Sequence, residues 1–315
     1  MQKRNGMTTA LTNEQLELYL AIVNEEERVR ALSQEEKEDL IIRIFSHPFI
    51  DLMCDWAFKH VFGHNEDRLL LLLNDILPEK IVHITFEPNE IDRWKGDDKN
   101  VIMDVLCHAD DGRKFIVEMQ RSDKEYFRSR MLYYGASMLH AQLSAGDTYG
   151  KLMPVYVICF MNFRLYHAED RLIYQYDLRD EGGEAYSPLL NIYLCELPRL
   201  SEKDYDIMTP VEQWFDILQN MRNFVEMPEG LDSRYHPIFE ACRSHDLPAK
   251  DKQNYLRAML TDRDREEIAN AYLARGREEN ARAIASNMLK EGFPPELVVK
   301  LTGLDKLVVL TLQGK

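Results

Sequence analysis

The chain has 315 residues, 45% of them apolar and 10% aromatic, and its 39 Lys and Arg stand against 54 Asp and Glu for a formal charge of −15. That length allows one domain with accessory parts, or two domains. The acidic balance excludes a general nucleic-acid coat, which needs Lys and Arg against phosphate, so any such contact must be local or bridged by a metal cation.

Residues 12–46 read as helices, because "TNEQ" at Thr12 and "SQEE" at Ser33 both have the form of a capping box. Residues 1–48 are therefore expected to form a helical N-terminal extension. "NEDRLLLLLNDILPE" follows, with five consecutive leucines, Leu69 to Leu73, in a helix expected to be buried on more than one side and ended by Pro78. "IVHITFEPNEI", residues 81–91, alternates and reads as a first strand. "MDVLCHADDGRKFIVEMQ", residues 103–120, supplies two more around a Gly-containing turn. Residues 123–143 have helical spacing, and "PVYVICFMNF" is a fourth strand, apolar on both faces and therefore central.

The core is expected over 49–165, accessory strands and a Thr209-capped helix over 166–230, and a helical tail over 231–315. The five cysteines include no C-x-x-C pair, which argues against a zinc site or disulfide framework and for a reducing compartment. No apolar run reaches membrane-spanning length, and the N-terminus lacks the apolar stretch of a signal peptide. A cytoplasmic protein without a membrane partner is expected.

The hairpin poses a chemical question, since Asp104, Glu118 and Gln120 interrupt apolar runs. A two-residue turn at Asp111-Gly112 would put Asp104 and Glu118 on opposite faces. A three-residue loop, Asp110-Asp111-Gly112, would oppose them on one face. The second is favoured because a type I turn followed by a left-handed residue needs Gly at its third position. Opposed carboxylates repel, and one tends to keep its proton. A divalent cation relieves this, since Mg²⁺ favours carboxylates, waters and phosphates. Gln120 can orient water or a phosphate oxygen but carries no charge. From spacing alone, three polar residues on a strand face more often mean a solvated face.

The segments "CDWAFKHVFG", "LLNDILP", "MDVLCHADDGRKFIVEMQ", "FRSRMLYYGASMLHAQLSAGDTY" and "PVYVICFMNF" occur in this order. Together they resemble the PD-(D/E)XK nuclease family transposases, also called the Rpn family, most closely over roughly residues 50–165. The resemblance implies an α/β restriction-endonuclease-like core, a mixed sheet flanked by helices in the order αβββαβ, which the strand reading gives independently. It also implies metal-dependent DNA endonuclease activity promoting recombination or mobile-element movement, with Mg²⁺ or Mn²⁺ as cofactor and DNA as partner. Asp104 and Glu118 then match the family's acidic metal-binding residues, and Gln120 stands where the wider superfamily has Lys. The alternative is a catalytically weak protein of the same fold that binds DNA or protein.

Asp55, Phe58 and Lys59 match the family's opening motif, and Lys59 is a candidate to replace the missing signature Lys, or an ordinary surface Lys. Arg130 and Tyr134 share a helix face and are candidates for phosphate or DNA contact. Glu90 is either a third metal ligand or a solvated strand end. The tail ends in a helix-turn-helix-like segment whose last helix, "DKLVVLTLQ", is mostly apolar, so packing against another part of the protein or a partner chain, as in a homo-oligomer, competes with DNA contact. Leu297, Val298, Leu301, Leu304, Val308 and Leu312 are expected to be largely buried within the chain or a dimer.

Overall fold

A computed structural model of the chain describes residues 11–25, 29, 32–91, 101–123, 126–165 and 171–313, without the side chains of Glu90 and of 262–279 among others. Two compact units are present, Met1–Ala258 and Met259–Lys315.

Helices α1 (Asn13–Glu25) and α2 (Gln34–Phe45) open the first unit. Both begin at the expected residues. Thr12 and Gln15 exchange side-chain and backbone hydrogen bonds, and Ser33 and Glu36 do the same. The pair packs inward, with Tyr19 stacked on Phe45 at 4.1 Å. Helices α3 (Asp55–Phe62) and α4 (Glu66–Ile76) follow. In α4 the buried residues are Leu69, Leu72, Leu73 and Ile76. That is one stripe at helical spacing, while Leu70 and Leu71 are half-buried. The run of leucines thus overstates how far the core wraps the helix.

The strands are β1 (Ile84–Phe86), β2 (Glu90–Ile91), β3 (Val101–Ile102), β4 (Val105–Ala109), β5 (Lys114–Gln120), β6 (Val155–Met161), β7 (Ile173–Arg179) and β8 (Ala185–Glu196), with α5 (Phe127–Ala141) between β5 and β6. Six of them form one mixed sheet in the order β1-β4-β5-β6-β8-β7. The single first strand expected over 81–91 is broken. Pro88 lies between its two pieces, and proline has no N–H to donate to a ladder; β2 instead pairs with β3 in a separate two-stranded sheet. Strand β6 is central, parallel to β5 and to β8 and buried at every position. The strands beyond residue 166 continue the same sheet, with β7 antiparallel to β8 at its edge.

The β4–β5 register is the one that a three-residue loop demands. His108 pairs with Lys114 and Val105 with Val117. The Ala109 N–H donates to the Arg113 carbonyl, and the Gly112 N–H to the Ala109 carbonyl, both at 2.9 Å. Gly112 has φ +88°, a conformation open to glycine at little cost.

Alternation then sorts the sheet into two faces. Leu106, Ile116, Val157, Cys159 and Leu194 face α5 with Phe127, Met131 and Met138. Gly135 lets α5 approach closely, because a Cβ there would lie 2.4 Å from Leu190 Cδ1. On the other face Phe58 of α3 meets Phe160, while Phe62 meets Trp214 of α6 (Pro210–Asn220). Helix α6 starts at the expected Thr209–Glu212 capping box.

Helix α7 (His236–Ala241) and the start of α8 (Ala249–Lys290) complete the first unit. In the second, α9 (Pro295–Thr302) and α10 (Lys306–Gln313) follow α8. Its core joins Ala285, Val298 and Val309, with Leu304 and Leu312 packed against them. Within the single chain Leu297 is 37% and Leu301 63% exposed, so their expected burial falls to a second copy of the chain. They fall on the outer side of α9, whose inward contact is carried by Val298.

Candidate active site

The register sets the site. Asp104 immediately precedes β4 and lies opposite Glu118, so their side chains share the face that also bears Gln120. The Asp104 N–H donates to Glu118 Oε1 at 3.1 Å, and Asp104 Oδ2 accepts the Met119 N–H at 2.8 Å. Gln120 Nε2 donates to Glu118 Oε2 at 3.2 Å, and Arg130 of α5 donates to Gln120 Oε1. Lys59 comes from α3, with Nζ 3.2 Å from Asp104 Oδ1 and 3.0 Å from Asp55 Oδ1.

Burial governs the electrostatics. Glu118 is 3% exposed. Burial pushes its carboxyl up to about 7, against the stabilising Asp104 N–H and the charges of Arg130 and Lys59. Burial, and then the charge of Glu118, holds Asp104 well above the usual carboxylate range. Burial also works against the charge on Lys59, but Asp104 and Asp55 together keep its pKa above the ordinary value. Tyr134, one turn beyond Arg130, is half-buried, and burial followed by the nearby Glu118 charge raises its hydroxyl. Two carboxylates taken out of water beside each other are costly unless a cation joins them.

Of the residues singled out in the sequence, Asp104, Glu118, Gln120, Lys59 and Arg130 converge on one network, and Tyr134 stands within electrostatic reach of it. The Glu90 side chain lies outside the described residues; its backbone pairs with Ile102 in the small sheet. Asp55, which the sequence singled out as part of the opening motif, belongs to the network too, four residues before Lys59 on the same helix face. The brace behind the site carried no sequence signal. Arg121, directly after Gln120, pairs with Asp51. Asp51 also accepts the Met53 N–H at 2.9 Å, and its own N–H donates to the Tyr255 hydroxyl at 3.0 Å. This ties the end of β5 to the segment that leads into α3.

Among the described residues no group of three or more His, Cys, Asp or Glu forms a metal cage. A closed cage is not required for Mg²⁺, which takes one or two carboxylates and completes its shell with waters and substrate phosphates. Each of the four oxygens of Asp104 and Glu118 has at least one internal partner. A carboxylate offers about four lone-pair positions, so both retain capacity for a cation. The donor set fits a hard divalent ion, and its mutual repulsion favours one.

The family model for the PD-(D/E)XK nuclease family transposase matches residues 52–271. That for the C-terminal HTH domain of the Rpn/YhgA-like nuclease family matches residues 278–306. No curated protein and no solved structure matches. No helix among the described residues is long and apolar enough to cross a membrane.

Proposed function

The chain belongs to the PD-(D/E)XK nuclease family transposases, and on that premise we propose that it is a divalent-metal-dependent DNA endonuclease promoting recombination or mobile-element movement. The observation that carries this reading is the buried, opposed pair Asp104 and Glu118. These two residues would hold the ion, Mg²⁺ or Mn²⁺, which would supply Lewis-acid polarisation of a phosphodiester.

The other residues act on substrate and nucleophile. Arg130 and Lys59 present cations to the phosphate. Gln120, held between Glu118 and Arg130, orients the attacking water or a phosphate oxygen through its amide. Tyr134 lines the same side of α5. The HTH match at the C-terminus supports DNA as partner, and the exposed Leu301 and Leu310 support self-association through the tail. The cytoplasm is the corresponding compartment.

Plasmid nicking with Mg²⁺, Mn²⁺ or EDTA, run beside Asp104→Ala, tests the reading. Cleavage that needs the ion and disappears in the variant is expected. Cleavage of equal rate in the variant would refute it. A second reading, a DNA- or protein-binding module of the same fold, is favoured by one observation: every carboxylate oxygen of the pair already has a partner within the protein. Wild type that neither binds metal nor cuts DNA would select it.

A further inference from the structure

Lys59 lies between two carboxylates. Its Nζ is 3.0 Å from Asp55 Oδ1 and 3.2 Å from Asp104 Oδ1. Asp55 occupies the solvent side, with its side chain 54% exposed against 29% for Lys59 and 11% for Asp104. Asp55 also lies near enough to Asp104 to help hold its carboxyl above the usual carboxylate range. Without the ammonium, these two carboxylates and Glu118 would offer acid for more than one divalent ion.

We infer that Lys59, steadied by Asp55, is a resident cation that takes the place of a second metal, so that the protein loads one divalent ion per chain. The inference rests on the reading of Asp104 and Glu118 as the metal-binding pair. Charge matching supports it. The groups facing one another are the carboxylates Asp55, Asp104 and Glu118 and the cations Lys59 and Arg130. When the acids are ionised they leave a single net negative charge. One divalent ion turns that into one net positive charge, which a phosphodiester group neutralises. A second ion would leave a cationic excess in a site where Asp104 and Glu118 are largely removed from water, and uncompensated charge is costly there. An ammonium also suits the gap, because it offers three donors at hydrogen-bond distance, whereas Mg²⁺ would need its oxygens at about 2.0–2.1 Å.

Asp55 is by this argument a positioning residue. It draws the Lys59 ammonium toward solvent and shares its charge, which leaves Asp104 able to accept the ion.

The test is calorimetric titration of the full chain with Mn²⁺, counting ions bound. Wild type is expected to bind one. Lys59→Met and Lys59→Gln should each bind two, and adding Asp55→Asn to Lys59→Met should return the count to one. Two ions in wild type would overturn the inference, whether or not the variants fold. So would a count of one in both Lys59 variants, while leaving the metal-binding pair intact. No binding by wild type, with Glu118→Gln indistinguishable from it, would overturn both the inference and the metal reading beneath it.

Discussion

Replacing Glu118 by Gln should stabilise the metal-free protein at alkaline pH and destroy its response to metal. Glu118 is buried and its pKa rises from 4.5 to about 7. Between those values the folded chain holds a proton that the unfolded chain has released, so stability falls as pH rises through the window and stays low above it. The rise corresponds to on the order of 3 kcal/mol, shared with Asp104. Glu118→Gln removes this penalty and keeps a carbonyl oxygen for the Asp104 N–H. It opposes its own amide to that of Gln120 and forfeits the bond from Gln120 Nε2 to Glu118 Oε2, a loss of about 1 kcal/mol.

The net expectation is a gain of about 2 kcal/mol at about pH 8, shrinking to nothing or to a small loss near about pH 5. Urea unfolding of wild type and variant in EDTA at both pH values measures it. With Mg²⁺ at about a hundred times its Kd, wild type should gain about 2.7 kcal/mol and the variant far less. A variant destabilised equally at both pH values would refute the idea that the carboxylate pair stores electrostatic strain.

Four further outcomes follow from the same geometry. Gln120→Ala should slow plasmid nicking while calorimetric Mn²⁺ affinity stays nearly unchanged, because the amide carries no charge; lost binding would mean that the amide holds the carboxylates in place. Asp51→Ala breaks the partly buried pair with Arg121 and should cost on the order of 2 kcal/mol in urea unfolding, with Asp51→Ala/Arg121→Ala costing less than the sum of the single changes. Gly112→Ala forces φ +88° on a residue with a Cβ and places that atom 2.8 Å from Met153 Cε. It should lose more than about 1 kcal/mol by thermal melting. Val298→Ala should speed amide exchange across α9 and α10 and leave β5 and β6 protected; unchanged exchange in α9 would refute Val298 as the inward contact of that helix.

Local chemistry was legible in the sequence wherever it depends on a few adjacent residues. The capping boxes at Thr12, Ser33 and Thr209 were readable because each pairs residues three apart. The β4–β5 register followed from the glycine that the loop needs at its third position, and with it the opposition of Asp104 and Glu118, because strand side chains alternate strictly. Strand β6 announced its central place by being apolar at every position. Asp55 and Lys59 were singled out together by the opening motif they share, and they pair on one face of α3.

Tertiary structure decided what no local pattern encodes. It paired β2 with β3 in a separate small sheet, carried the later strands into the main sheet, and turned Leu297 and Leu301 of α9 outward. It brought Lys59 from a helix to Asp104 and Arg130 from another helix to Gln120. It also joined Asp51 to Arg121 across 70 positions of sequence. Composition cannot say which apolar face finds a partner, nor which distant cation arrives beside a carboxylate. Both depend on how the helices pack against the sheet, and that packing is a property of the whole chain.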